Sequence, residues 1–151
     1  MKLPRTFARG LALLLVATQL AVSATASADD FVVVCSRSAG PASMNLDDLR
    51  RVFTGRTRQW DSGAVVQTVI IPAESAPETA FLAALLGMTG RELLTRIQAE
   101  VFRGEMRRPV IIRSSQDCLA ALHNIPSGIC IVNASAVAST PADLRVIRVG
   151  Y

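Results

Sequence analysis

Two kinds of apolar spacing alternate along this chain. Short β-branched runs occur at Phe31–Cys35, Val65–Ile71, Val110–Ile112 and Ile129–Val132, with a looser one at Leu144–Val149. Gly, Pro, Ser and Asp bound them, a pattern that predicts buried strands. Between them the period changes to that of helices. Leu46, Leu49, Val52 and Phe53 fall on one face behind Asn45, a cap residue. Asp47 and Asp48 precede Arg50 and Arg51, an order that suits the helix dipole, and Gly55 stops the turn. A second helix is predicted from Ser75 as N-cap, with Pro77 in the first turn, Glu78 completing a capping box, and an end at Leu86 before Gly87. Thr89 and Glu92 repeat the box for a third helix reaching Phe102. Ser114 or Ser115 caps a fourth, which ends near His123. Ser36–Met44, Arg56–Gly63, Gly104–Pro109 and Pro126–Gly128 read as loops and turns.

Strands alternating with helices predict an α/β fold: a mixed, mostly parallel sheet flanked by helices. The first 28 residues stand apart from it. Lys2, Arg5 and Arg9 precede an apolar stretch, Leu11–Val22, and small residues follow to Ala28. That is the grammar of a signal peptide, cut after Ala28 or, as second choice, Ala26. The expected organisation is a leader, 1–28, and one domain, 29–151. Export implies a periplasmic or secreted location. Removing the leader takes three of the 16 basic residues and none of the 12 acids, which leaves 13 against 12. The pI of 9.6 therefore belongs to the precursor, and a nucleic-acid partner loses its electrostatic basis. Lys2 is the only lysine. The mature chain has none for a Schiff base or a phosphate loop.

The chemistry-bearing residues are few. Three Cys cannot all pair within one molecule. Cys118 and Cys130 lie on consecutive elements joined by a short turn and make one possible bridge; Cys35 with Cys130 is another, and three buried thiols a third. His123 is the only histidine, at a helix end. No G-x-S-x-G accompanies it and no zinc-ligand spacing occurs, so no catalytic residue, metal or cofactor is expected. The remaining candidates are helix N-termini that follow strands, where free N–H groups receive anions. Ser75 and Thr79 mark one, Ser114 and Ser115 another. Ser36 and Ser38 follow the first strand. These six are the candidate ligand residues.

The stretch Leu46-Asp47-Asp48-Leu49-Arg50-Arg51-Val52-Phe53-Thr54-Gly55, followed by Arg58-Gln59-Trp60-Asp61, resembles the "L..ELRRIFLG…W.D" segment of phosphate ABC transporter substrate-binding proteins. Phe81-Leu82, Phe102-Arg103-Gly104 and Pro126-Ser127-Gly128-Ile129-Cys130-Ile131-Val132 continue the similarity, which spans residues 31–135. The resemblance implies a type II periplasmic-binding-protein fold, present as a single lobe where full members clamp an anion between two. It also implies a phosphate loop of the form R-S-D-G-S-G-T. Here that place holds Pro72-Ala73-Glu74-Ser75-Ala76-Pro77-Glu78-Thr79. The Arg and both glycines are gone, two acids have entered, and Pro77 lacks an N–H. Lost bidentate Arg contacts and two nearby carboxylates weaken oxyanion capture.

The sequence therefore predicts an exported, non-enzymatic solute-binding-like protein with a degenerate phosphate loop. The partner is a small oxyanion such as phosphate, or else a periplasmic or membrane protein met by a module that has lost anion binding. A lone lobe leaves a face uncovered, which also allows a homodimer.

Overall fold

The computed structural model describes residues 30–147 and 149–150. The predicted leader, 1–28, lies outside them. The elements run β1 (Phe31–Ser36), β2 (Met44–Asn45), α1 (Leu46–Phe53), β3 (Gln67–Ile70), α2 (Pro77–Leu85), α3 (Gly90–Phe102), β4 (Val110–Ile111), α4 (Ser115–Asn124), β5 (Gly128–Asn133), a 3-10 turn (Ala134–Ser139), β6 (Leu144–Ile147) and β7 (Val149–Gly150).

Five strands form one sheet in the order β4-β3-β5-β1-β6. β3 is parallel to both β4 and β5. β1 is antiparallel to both of its neighbours, with Phe31 opposite Asn133, Cys35 opposite Ile129, and Ser36 opposite Leu144. The sheet is thus mixed, with β1 reversed and the other four strands all pointing the same way. A two-stranded ribbon pairs β2 with β7.

Side chains alternate across the sheet, and both faces are covered. Phe31, Val33, Cys35, Ile129 and Ile131 point into a core that α1, α2 and α3 complete with Leu49, Phe53, Leu82 and Leu93. Val34, Val69, Cys130 and Val132 point the other way, against Cys118, Leu119 and Leu122 of α4. Burial on two faces explains why the strands read as unbroken apolar runs. A disulfide joins Cys118 to Cys130 within the second layer, with Cα atoms 6.7 Å apart. Cys35 is a buried free thiol in the first layer.

Most helix starts follow their caps. The Asn45 side chain accepts the Asp48 N–H at 2.8 Å and the Asp48 carboxylate accepts the Asn45 N–H. Thr89 and Glu92 do the same for α3. The two hydrogen bonds from Thr89 hold the Glu92 carboxyl below its ordinary pKa. Ser114, not Ser115, caps α4.

The start of α2 departs from expectation. Its N-cap is Ala76, extended at φ −65°, ψ 128°, with no side-chain cap bond, and Pro77 is the first helical residue. The residue before a proline is pushed from the helical region toward extended backbone, and Ala76 takes that conformation and stays outside the first turn. That steric rule moves the start past Ser75 and dissolves the predicted box with Glu78. The predicted strand Val65–Ile71 contracts to Gln67–Ile70, because Val65 forms a lone bridge with Gln59. The Leu144–Val149 run divides into β6 and β7.

Candidate functional site

The carboxyl ends of β3, β4 and β5 lie along one edge of the sheet, and the N-termini of α2 and α4 rise from it on opposite faces. This is where an open α/β sheet receives a ligand. Four of the six candidate residues are at this edge. Ser75 is exposed in the turn before α2. Thr79 is buried, and its hydroxyl donates to the carbonyl of Ile71 at the end of β3. Ser114 is exposed and accepts the Asp117 N–H at 3.1 Å. Ser115 is buried; its hydroxyl donates to Glu78 Oε1 at 2.6 Å and accepts the Asn133 N–H at 2.9 Å.

Ser36 and Ser38 are not part of that constellation. β1 runs against its neighbours, so its carboxyl end meets the amino end of β5. The two hydroxyls bond to each other at 2.9 Å, and Ser38 donates to the Pro126 carbonyl at 3.4 Å. Ser38 lines a cavity of about 420 Å³ at this opposite edge, together with Asp48, Trp60 and Asp61. Trp60 is a packing anchor there: it is buried and its indole N–H donates to the Ser127 carbonyl at 3.0 Å. The six residues thus divide between two ends of the sheet.

At the carboxyl edge the polar groups are already engaged. The hydroxyl protons of Thr79 and Ser115 point at protein oxygens. The α2 N-terminus offers fewer N–H groups because Pro77 is its first residue. Glu78 places a carboxylate on Ser115, the first residue of α4, so the molecule seats an anion of its own at this helix start. A second unit charge arriving at 4 Å meets a repulsion of about 4 kcal/mol at the effective dielectric of a protein surface. Arg113, next to Ser114, is exposed at the same edge. Glu78 read from sequence as a helix-start acid, and so it is. Its bond to Ser115, 37 residues away, carries no local signal.

The sequence matches no family model and no curated protein. Solved structures do match. PstS from Borrelia burgdorferi superimposes with a TM-score of 0.59 at 11% identity, over 80% of this chain and 47% of that one. An ABC-type phosphate transport receptor from Vibrio cholerae gives 0.51 at 10% identity, over 80% and 46%. The chain shares the fold of these two proteins over that span. It spans about half the length of these two receptors. On this receptor-like fold, Pro72–Thr79 bridges the end of β3 and the start of α2. Among the described residues no helix is long and apolar enough to cross a membrane.

Proposed function

We propose that this chain is an exported, non-enzymatic, solute-binding-like protein of the phosphate-receptor type, a single lobe whose anion seat is closed by its own Glu78. The hydrogen bond from Ser115 to Glu78 carries the reading. It combines the two features that defeat phosphate at this edge, a resident carboxylate and hydroxyl protons turned inward. The similarity to phosphate receptors supports the architecture, and the altered loop supports the loss of capture. Export rests on the leader-like first 28 residues.

The test is a phosphate titration of 15N-labelled residues 29–151, read amide by amide. Wild-type protein is expected to show no saturable shift at Thr79, Ser115 or Asn133 up to about 10 mM, a regime where binding energy is under about 3 kcal/mol. Glu78→Gln removes the charge, keeps the shape, and is expected to introduce a weak response at the same amides. Saturable wild-type binding there at micromolar phosphate overturns the reading.

The role as a protein-contact module has its own observation. Phe102 is 93% exposed and Ile111 57% exposed, both on a groove of about 560 Å³ beside the edge strand β4. Large apolar side chains exposed together mark contact surfaces. Light scattering across a dilution series tests self-association through it, with Phe102→Ser expected to shift any dimer to monomer.

A further inference from the structure

A second charged constellation lies at the far end of α1. Gly55 adopts φ +76° and turns the chain back after the helix, so that the Arg56 N–H donates to the Arg51 carbonyl at 2.8 Å. This brings Arg56 beside the last turn of α1. From α3 come Arg96 and Glu100, and from its C-cap Arg103, to the same place at helical spacing. Two adjoining cavities, of about 320 and 360 Å³, share Thr54, Arg56 and Arg96 and form one trough.

Six arginines line the trough: Arg50, Arg51, Arg56, Arg58, Arg96 and Arg103. Its carboxylates are three, Asp47, Glu100 and Glu105. Each carboxylate holds one arginine: Asp47 takes Arg50 at 3.3 Å, Glu100 takes Arg103, and Glu105 takes Arg58. Among the described residues Arg51, Arg56 and Arg96 have no carboxylate in an ion pair, on a domain whose charge without the leader is close to neutral. Three positive groups from α1, the following turn and α3 therefore face one trough whose carboxylates are each already paired with another arginine. Leu86 and Met88 form an apolar wall beside them. A helix C-terminus accommodates a cation in its last turn, which explains Arg51 but not Arg56 or Arg96.

We propose that this trough binds a compact polyvalent oxyanion of the phosphate class through Arg51, Arg56 and Arg96. The guanidinium fork matches such oxygens two at a time, and the trough is of ligand size. The site is independent of the carboxyl edge, where Glu78 sits, and involves none of the six serine and threonine candidates. A free anion and a phosphorylated headgroup present the same chemistry, and the experiment separates them.

Inorganic pyrophosphate is titrated into 15N-labelled residues 29–151 at about 0.05 M salt, where screening is weak. The expected result is saturable binding with Kd of roughly 10–100 µM, with shifts at Arg51, Arg56 and Arg96. Arg51→Gln/Arg56→Gln/Arg96→Gln is expected to weaken it at least ~tenfold, as loss of charge-assisted hydrogen bonds demands. All three side chains are exposed, so the variant keeps its fold, which its thermal midpoint verifies. Arg113→Gln, exposed at the carboxyl edge and outside the trough, changes affinity less than ~threefold. A second arm sediments the protein with phosphatidic-acid vesicles. Arginine-dependent sedimentation that pyrophosphate displaces names the headgroup as a source, and no sedimentation names the free anion. Three results overturn the proposal: no saturable binding, binding unchanged in the triple variant, or shifts confined to Thr79, Ser115 and Asn133. Only the last of these also contradicts the closed seat at Glu78.

Discussion

Cys35 shows how one residue's surroundings set its chemistry. It sits in β1 with no exposed surface, under the loop of residues 37–43 that joins β1 to β2. Burial pushes its thiol up to about 11, from an ordinary 9.0, against the opposing pull of Arg145 and Arg37. Between those values the unfolded chain has released the proton and the folded one still holds it. The stability contributed by the thiol is thus complete below pH 9 and is lost as pH rises to 11. Urea midpoints measured across that window are expected to fall, and Cys35→Ser is expected to flatten the slope. Gly40 closes the space above the thiol. A Cβ there would overlap Cys35 Sγ and lie 2.9 Å from the Ser36 carbonyl oxygen. Gly40→Ala should cost about 1–3 kcal/mol in urea unfolding, as overpacked sites do. Thr68 gives the opposite case. It is 2% exposed in β3, and among the described residues its hydroxyl has no hydrogen-bond partner. Thr68→Val should raise stability by about 1 kcal/mol, since it removes an unsatisfied group at constant shape. A lower midpoint would show that the hydroxyl is bonded after all.

At the level of elements, the caps differ in consequence. Ser114→Ala removes the bond that starts α4 and should cost about 1 kcal/mol. Ser75→Ala should change almost nothing, because α2 begins after Ala76 without a side-chain cap. Paired thermal melts check the contrast. The same contrast explains what could be read from the sequence. α1 spans Leu46–Phe53, and α3 starts behind Thr89, because a period-3.6 face and a capping residue agree at those places. At α2 two local rules compete, the Ser75–Glu78 spacing and the restriction on the residue before Pro77, and the steric one prevails. β2 and β7 carry two residues each, too few to show any period. The candidate site was legible as a set of helix ends but not as a grouping. Strand direction leaves no trace in composition, and the reversed β1 is what separates Ser36 and Ser38 from Thr79 and Ser115. The convergence of Arg51, Arg56 and Arg96 likewise depends on a turn at Gly55 and on the packing of α3, both non-local.

For the whole molecule, the Cys118–Cys130 bond ties α4 to the centre of the sheet across a sequence separation of 12. Closing a loop of that size is worth about 2–4 kcal/mol, so reduction should lower the urea midpoint correspondingly without abolishing the fold. The comparison of oxidised and reduced samples at one pH measures it, with Cys118→Ala/Cys130→Ala as a check that the reductant acts only there. The place of β1 has a consequence of another kind. It lies inside the sheet between β5 and β6, whose residues begin at Gly128 and Leu144. During synthesis, β1 leaves the ribosome about 5–20 s before either neighbour exists, at 5–20 residues per second. Over that interval an apolar, β-branched ribbon has no edge to join. The chain therefore cannot complete its sheet early, and it stays unfolded until nearly all of it is available.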